Sequence, residues 1–396
     1  MNEQRSSMPE VLLRWFRSRA GGVLAPLAAT LLAFLIGGLV VLITGENPLQ
    51  AYKAIFEGTG LNWFFPWLDE TERNAAARDL QQTLLVMTPL MMTAAAVAFA
   101  FRCGLFNIGG QGQYWVGAIA AVWVGTHFSG TPRLVHVAIA IAVAILAGAL
   151  WGGIAGILRA TVGAHEVITT IMLNWIAIFG GTYLFELDGP LHGASPSLPR
   201  SDEVLESAQI WVIWGNIQAL HAGIFIAIAG LVVYSALLNR TTLGYEVRAV
   251  GFNPEAARYG GISVAKNYFL ALAISGAFAG LAGSLDILGF KHTLDTSDFD
   301  TNFVGFTGIA VALLGRNRAV GIFFAALLFG ALQVGTSSRQ LDPAVFDPDL
   351  ATDLATMIQA LVIFFVAAEL LVVYLWSARR RLGIRPAARI EPEAPV

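Results

Sequence analysis

Residues 239–266 read NRTTLGYEVRAVGFNPEAARYGGISVAK and separate two long apolar stretches. Within this segment, Asn253 is a favourable N-cap residue, and Pro254 stands at the first helical position, where a missing N–H costs nothing. Glu255 lies in the first turn, where the helix dipole favours a negative charge. The glycine pair at 260–261 suits a left-handed C-cap. The segment therefore predicts a short, stiff helix inside a basic connector. Such a helix suits contact with a partner on the positively charged side of the membrane.

The composition indicates a membrane protein. The chain has 396 residues, of which 56% are hydrophobic and only 13% are charged, and a soluble chain of this length needs more charge to cover its surface. Apolar runs of about twenty residues recur, so we predict an all-α polytopic membrane protein. The single cysteine, Cys103, excludes an internal disulfide and a thiolate metal cluster.

The apolar runs predict ten transmembrane helices. Their approximate bounds are 23–43, 80–101, 105–128, 134–158, 166–186, 221–238, 268–288, 303–315, 319–337 and 355–376. The eighth is too short to cross alone, which predicts a broken or tilted helix. The domain prediction is a basic cytoplasmic N-terminus (1–22), one transmembrane domain (23–376, with the connector 239–266) and a basic, disordered tail (377–396).

The distribution of Lys and Arg fixes the predicted orientation. With the N-terminus inside, the inner segments hold 17 of the 24 cations and the outer segments hold 7. This bias places both termini and the connector 239–266 in the cytoplasm. Five spans lie on each side of the second long outer loop, an arrangement that permits an inverted 5+5 repeat, although no repeat is visible by identity.

The stretch GLFNIGGQGQYWVG at 104–117 enters the third apolar run with an unusual composition. Each of its interior glycines weakens an α-helix by about 1 kcal/mol relative to alanine. Asn107 and Gln111 bring amides to membrane depth, where unpaired polar groups are costly. One interpretation is a broken helix that lines a wet cavity. The alternative is that the amides only cap and cross-link neighbouring helices.

Three further residues are candidates for contact with a transported ligand: Asn174 and Trp175 on the fifth span and Phe306 on the eighth. Together with Asn107 and Gln111 they offer amides and aromatic rings rather than charge pairs, which suits an uncharged, hydrogen-bonding ligand. An aromatic ring plus an amide would fit a nucleobase. Helix packing uses the same residue types, so that alternative stays open.

The charged residues within spans have structural interpretations. Glu166 begins the fifth span, and pairing with a loop cation such as Arg159 is the expected outcome; Glu369 is assigned a structural role too. Asp286, near the outer end of the seventh span, could meet a ligand from outside or could extend to water.

Small residues recur at a spacing of four. They are Gly148, Gly152 and Gly156 on the fourth span and Gly276 and Gly280 on the seventh. This spacing lets helix backbones approach closely in lipid, so we predict that these glycines pack helices.

Several chemistries are excluded by the motifs that the sequence lacks. It contains no G-x-x-x-x-G-K-[ST] phosphate loop, no nucleophile elbow and no paired-histidine metal site. We therefore expect no catalytic residue, no metal, no bound cofactor and no nucleic-acid partner.

The segments GLFNIGGQGQYWVGAIAA, HEVITTIMLNWIA, the connector, LAISGAFAGLAGSLDILG, GFTGIAVALLGRNRAVGIFFAALLFGAL and IQALVIFFVA follow one another in this order. Together they closely resemble the membrane permease subunits of bacterial ABC importers for nucleosides, within the wider group of ribose-type and branched-chain amino-acid permeases. The resemblance covers the chain from about the second span to the end.

The resemblance implies which partners the chain has and in which membrane it lies. It implies a core of two permease subunits in the bacterial inner membrane, two cytoplasmic ATPases that use ATP and Mg²⁺, and an external lipoprotein that delivers ligand. The family's coupling segment maps onto Gly244, Tyr245, Arg248, Ala249, Val250, Gly251, Asn253, Pro254, Ala256, Ala257, Gly260 and Gly261. The short helix adds Glu255 and Arg258 to this surface. Arg248 and Arg258 could pair with acids on the ATPase or with lipid phosphates.

Two alternatives remain. The same machinery could import a simple sugar or a branched-chain amino acid. The other alternative is a stand-alone secondary transporter. Such a protein would need intramembrane charge pairs for ion coupling, and a capped cytoplasmic helix would have no function in it.

Overall fold

The computed structural model describes residues 8–215, 219–337 and 352–366, with side chains from residue 26 onward. The helices are α1 Met8–Ile43, α2 Pro48–Gly58, α3 Glu70–Arg102, α4 Gly110–Thr126, α5 Arg133–Val162, α6 Glu166–Phe185, α7 Gly223–Arg240, α8 Thr242–Phe252, α9 Pro254–Tyr259, α10 Val264–Asp286, α11 Thr296–Thr301, α12 Val304–Leu314, α13 Ala319–Gly335 and α14 Thr352–Val366. A π-helical turn, Ile287–Lys291, continues α10. An antiparallel pair of strands, β1 Val212–Trp214 and β2 Leu220–His221, precedes α7.

The described part of the chain is a mostly helical membrane protein, as the sequence predicts. Six of its helices are long and apolar enough to cross a bilayer: α1, α3, α5, α6, α7 and α10 with its π-helical turn. Each remaining predicted span overlaps a shorter helix, namely α4, α12, α13 or α14. The number of ten spans, the cytoplasmic termini and the 5+5 repeat stay predictions. The end of the tenth span, Glu369 and the tail 377–396 lie outside the described residues.

Helix α3 is the centre of the bundle. Its most apolar window is 83% buried, against 28% for α5 and for α6. It packs on α7, α10, α12 and α13, while α5 and α6 present leucine, isoleucine and aromatic side chains on the surface. This distribution is expected of a bundle whose peripheral helices face lipid.

The glycines spaced by four pack helices, as predicted. A Cβ atom at Gly148 would lie 2.3 Å from the carbonyl oxygen of Gly276, and one at Gly280 would lie 2.3 Å from that of Ala144. Helices α5 and α10 therefore touch backbone to backbone, and only glycine fits at these positions.

Two helices begin inside the bundle. The chain is not helical between α3 and Gly110, so α4 covers only part of the third predicted span. Likewise α12 begins at Val304 and has only 11 residues. Their first turns touch, since a Cβ atom at Gly305 would lie 2.4 Å from the Cα atom of Gln111. The break expected in 104–117 and the short eighth helix thus meet at one place.

Candidate functional site

The connector between α7 and α10 folds as two short helices. Thr241 caps α8, because its hydroxyl oxygen accepts a hydrogen bond from the Gly244 N–H at 3.0 Å. Asn253 caps α9 in the same way, accepting from the Ala256 N–H at 3.1 Å. Gly261 has a left-handed φ of +81° just after α9. The predicted capped helix is present, whereas α8 is an addition that the sequence analysis missed.

The structure places every predicted coupling residue on these two helices or at their ends. Gly244, Tyr245, Arg248 and Gly251 lie on α8; Pro254, Glu255, Ala256, Ala257 and Arg258 lie on α9; Asn253 and Gly260 flank α9. One face of this unit packs on the bundle through the buried side chains of Val247, Val250 and Ala257.

A backbone contact joins α8 to the turn that follows α3. A Cβ atom at Gly251 would lie only 2.3 Å from the carbonyl oxygen of Arg102. On the other side of this contact, Gly104 has a φ of +75°, and a Cβ atom there would lie 3.3 Å from the Cα atom of Gly251. Only glycine permits this approach, so the backbone of α8 directly contacts the start of the non-helical stretch 103–109.

The opposite face of the connector exposes aromatic rings. Phe252 is 94% exposed and Tyr259 is 95% exposed, and Tyr245 is also on the surface. Sequence reasoning singled out Tyr245 and missed the other two. Their positions in the sequence could have indicated their exposure, because Phe252 directly precedes the capping residue and Tyr259 is the last residue of α9.

The charges of α9 are paired locally. Arg258 Nη1 lies 3.4 Å from Glu255 Oε1, and both side chains are exposed. Such a pair contributes about 0–1 kcal/mol, so it adds little to the stability of α9.

Asn107 is the first of the three candidate amides, all of which are buried near the start of α4. Its Oδ1 atom accepts from the Gly109 N–H at 2.9 Å, and its Nδ2 atom donates to Gln113 Oε1 at 2.8 Å and to Ser275 Oγ at 2.7 Å. The Ser275 hydroxyl in turn donates to the Ala96 carbonyl. Asn107 thus ties the non-helical stretch to α4, α10 and α3.

Gln111 joins the starts of α4 and α12. Its Oε1 atom accepts from the Gly305 N–H at 2.7 Å, and its Nε2 atom donates to the Asn302 carbonyl oxygen. Asn302 also bonds locally to the start of α12, because its Oδ1 atom accepts from the Val304 N–H at 3.0 Å. The first turn of α12 is therefore satisfied partly by a side chain from another helix.

Asn174 on α6 completes the set, which we call the amide junction (Asn107, Gln111 and Asn174). Its Oδ1 atom accepts from the Gly112 N–H at 2.8 Å, and its Nδ2 atom donates to the Ile108 carbonyl at 3.0 Å. All three amides are buried and bonded to protein groups. This pattern matches the cross-linking alternative of the sequence analysis.

The two aromatic candidates are partly exposed, unlike the buried amide junction. Trp175 is 51% exposed and stacks on Phe179, with ring centroids 5.7 Å apart, on the outer surface of α6. Phe306 is 37% exposed and contacts Phe303. Their role in a substrate path stays a prediction.

Glu166 and Asp286, the two acidic candidates that lie in described spans, are both paired. Glu166 Oε2 lies 3.4 Å from Arg159 Nε, so the pairing expected for Glu166 is found. Asp286 accepts a hydrogen bond from the Tyr114 hydroxyl and lies 3.9 Å from Lys291 Nζ. No cluster of three or more His, Cys, Asp or Glu side chains suited to a metal occurs among the described residues.

Comparison with known proteins places these features in context. Residues 80–367 match the family described as "Branched-chain amino acid transport system / permease component". The guanosine ABC transporter permease protein NupP of Bacillus subtilis (strain 168) is 36% identical over 375 residues, which cover 92% of this chain and 99% of the relative. The nucleoside ABC transporter permease protein NupB of Lactococcus lactis subsp. cremoris (strain MG1363) is 34% identical, with coverage of 88% and 92%. The glucose ABC transporter permease protein TsgB13 of Haloferax volcanii is 33% identical, with coverage of 86% for both chains. No solved structure matches the chain.

Proposed function

We propose, since the chain belongs to the family of branched-chain amino acid transport system permease components, that it is the membrane-spanning permease subunit of an ATP-driven importer of nucleosides. One observation carries the choice of substrate. The chain aligns with 99% of the length of a guanosine permease at 36% identity, and a second relative of similar identity is a nucleoside permease. A sugar is the second candidate, because a glucose permease is 33% identical.

The proposed assembly has this chain in the bacterial inner membrane with a second permease subunit. ATP is hydrolysed with Mg²⁺ by separate cytoplasmic ATPase subunits, and an external lipoprotein delivers the ligand. In this arrangement the chain has ten spans, cytoplasmic termini and an inverted 5+5 repeat. The starts of α4 and α12, which meet inside the bundle, support the repeat, because inverted repeats place broken helices at the transport route.

The connector is the proposed site of coupling to the ATPase. Phe252 and Tyr259 are exposed aromatic side chains on either side of a capped helix, and such side chains dominate binding when a partner buries them. The two capped helices move as a unit, whereas a floppy loop would absorb the motion of the ATPase.

The contact between Gly251 and the turn at 102–104 is the proposed next step of the coupling. Because these backbones touch, a shift of α8 displaces the chain that leads into α4. The N–H groups of residues 103–105 bond to the last carbonyls of α3. From there the chain is not helical until α4, and it leads into the amide junction.

The proposed substrate path passes Asn107, Gln111, Asn174, Trp175 and Phe306. In this proposal the amide junction closes the path, because its side chains join α4, α6, α10 and α12 through hydrogen bonds to neighbouring groups. Movement of the start of α4 would exchange these bonds for bonds to a hydrogen-bonding, uncharged ligand.

Competition for uptake tests the substrate. Cells that depend on this transporter should accumulate labelled guanosine, and an excess of unlabelled guanosine should suppress that uptake while glucose and leucine should not. Deletion of Asn253–Tyr259 serves as the uncoupled control and should abolish uptake with the protein still in the membrane. Suppression by glucose alone would move the assignment to sugars. Transport by the purified chain without ATPase partners would contradict the proposal altogether.

A further inference from the structure

A large cavity lies away from the connector and adjoins the amide junction. Its volume is about 620 Å³, within the range of roughly 300–1,000 Å³ that is typical of small-molecule sites. Its walls come from α3, the π-helical turn after α10, the start of α12, α13 and α14. The lining includes Thr336, just after α13, and Thr352, the first residue of α14, which lie toward the outside in the predicted orientation. It also includes Asn302, whose carbonyl receives the hydrogen bond from Gln111.

The lining combines a carboxylate, amides and aromatic rings. Asp286 contributes the carboxylate, and Gln333 and Gln359 contribute amides from α13 and α14. Phe290 is 40% exposed and Phe303 is 57% exposed, and both line the cavity. This is the pattern of a ligand site, in which a few polar groups orient a ligand against apolar walls.

Helix α3 adds a backbone acceptor to the same wall. Pro89 lies inside α3 and lines the cavity together with Leu85. Because proline has no N–H, Pro89 donates no helical hydrogen bond to the Leu85 carbonyl one turn earlier. A ligand with N–H donors could use this acceptor.

The charges of the cavity favour a neutral ligand. Among the described residues of the lining, Lys291 is the cation, and its Nζ atom lies 3.9 Å from Asp286 and 2.7 Å from Asp298. Two carboxylates share one ammonium group, so an added phosphate or carboxylate would meet net negative charge. A neutral ligand with hydroxyl groups avoids this repulsion and can donate to Asp286.

We propose that this cavity is an outward-facing binding site for a neutral ribonucleoside, occupied before the ligand reaches the amide junction. Asp286 accepts hydrogen bonds from the vicinal ribose hydroxyls, a pairing that carboxylates commonly make. The base stacks on Phe303, as bases do on aromatic side chains, and Gln333 and Gln359 bond to its polar edge. The proposal rests on the proposed nucleoside import and adds the place where this chain recognises the ligand.

Protection of an introduced thiol tests the site directly. Thr301→Cys places a reporter on the lining at an exposed position, and Ser197→Cys places a matched control on the exposed outer loop. Both are made with Cys103→Ala and treated with a membrane-impermeant thiol reagent, in cells that express the whole transporter. Guanosine should slow the labelling of Thr301→Cys at least fivefold and leave Ser197→Cys unchanged. Ribose, guanine and glucose at the same concentration should protect much less.

Substitutions in the lining sharpen the assignment. Asp286→Asn should raise the guanosine concentration for half-protection about tenfold, as expected for weakening a hydrogen bond to a charged group. Phe303→Leu should raise it by a similar factor, whereas Phe324→Leu, on an exposed face of α13, should not. Gln333→Ala provides the same test should Asp286→Asn fail to accumulate.

Labelled guanosine uptake is measured in the same cells to separate the two proposals. Uptake without any protection of Thr301→Cys would overturn the cavity site and leave nucleoside import standing. Absence of guanosine uptake would instead overturn the proposed function. Protection by glucose but not by guanosine would overturn the ribonucleoside assignment of the cavity.

Discussion

Helices α9 and α12 begin in opposite ways. Asn253 caps α9 from the position directly before it and bonds to an N–H three residues later. The Gly305 N–H in the first turn of α12 bonds to Gln111, which is 194 residues away in the chain. Helix α9 therefore carries its own cap, whereas the start of α12 is completed only when the bundle is assembled. A short helix with a local cap keeps its shape while it moves. A helix start whose hydrogen bonds come from another helix loses or exchanges those bonds when the two helices move.

Because of this difference, the connector and the amide junction suit different functions. The connector is exposed and internally capped, so it can receive a force from a partner without losing its fold. The amide junction is buried, and its hydrogen bonds join four helices, so a small displacement of one helix must rearrange several bonds together. The glycine contact between 104 and 251 links the two regions.

Gly251→Ala should have the largest effect, because it disrupts the contact between Gly251 and the turn at 102–104. The new Cβ atom would lie 2.3 Å from the Arg102 carbonyl oxygen and would push α8 away from the turn. We expect guanosine uptake to fall to background while the protein remains in the membrane. Gly180→Ala is the matched control, since a Cβ atom there meets nothing within 4 Å. Normal uptake by Gly251→Ala would show that the contact does not transmit the motion.

Gln111→Leu tests the shared start of α12. The substitution leaves the buried Gly305 N–H and the Asn302 carbonyl without this partner, and each such loss costs about 1–3 kcal/mol. We expect the melting temperature of the detergent-purified protein to fall by several degrees. Trp175→Leu, on the exposed face of α6, should change it much less. Equal melting temperatures for both variants would mean that the amide junction is not a structural joint.

Phe252→Ala and Tyr259→Ala test the exposed face of the connector. Both rings are almost fully exposed, so their removal should leave the permease folded. Each should weaken association with the ATPase by about 1–2 kcal/mol, as for aromatic side chains buried at an interface. Co-purification of the ATPase with the permease measures this loss, and Phe324→Ala on α13 is the control. Unchanged co-purification of both connector variants would remove these rings from the interface.

Asn253→Ala should have the mildest effect of the five substitutions. Removing an N-cap costs about 1 kcal/mol and acts on α9 alone. We expect faster amide hydrogen exchange at Ala256 and Ala257 and a partial loss of ATPase stimulation, with Asn253→Asp close to wild type. Identical exchange in the alanine and aspartate variants would show that the side-chain cap does not hold α9.

Much of the connector and little of the amide junction could be predicted. The signals for α9 lie within a few residues of one another: a capping asparagine, a proline at the first position and a glycine after the end. The pairing of Glu166 with Arg159 was predictable too, because the two are seven residues apart across a short turn. Asn302 was not singled out, since nothing near it in sequence shows that Gln111 lies beside it.

The sequence by itself determined the membrane class, the approximate positions of the helices and the capped helix in the connector. Hydrophobic runs and charge bias reflect the bilayer, and helix caps depend on neighbours a few residues apart. These signals are therefore visible along the chain. Only the tertiary structure decided that Gly251 touches the turn at 102–104, that Gln111 completes the start of α12 and that Asp286 faces a cavity. Those contacts join residues far apart in the chain, and they form because buried polar groups must find partners that only the packed bundle provides.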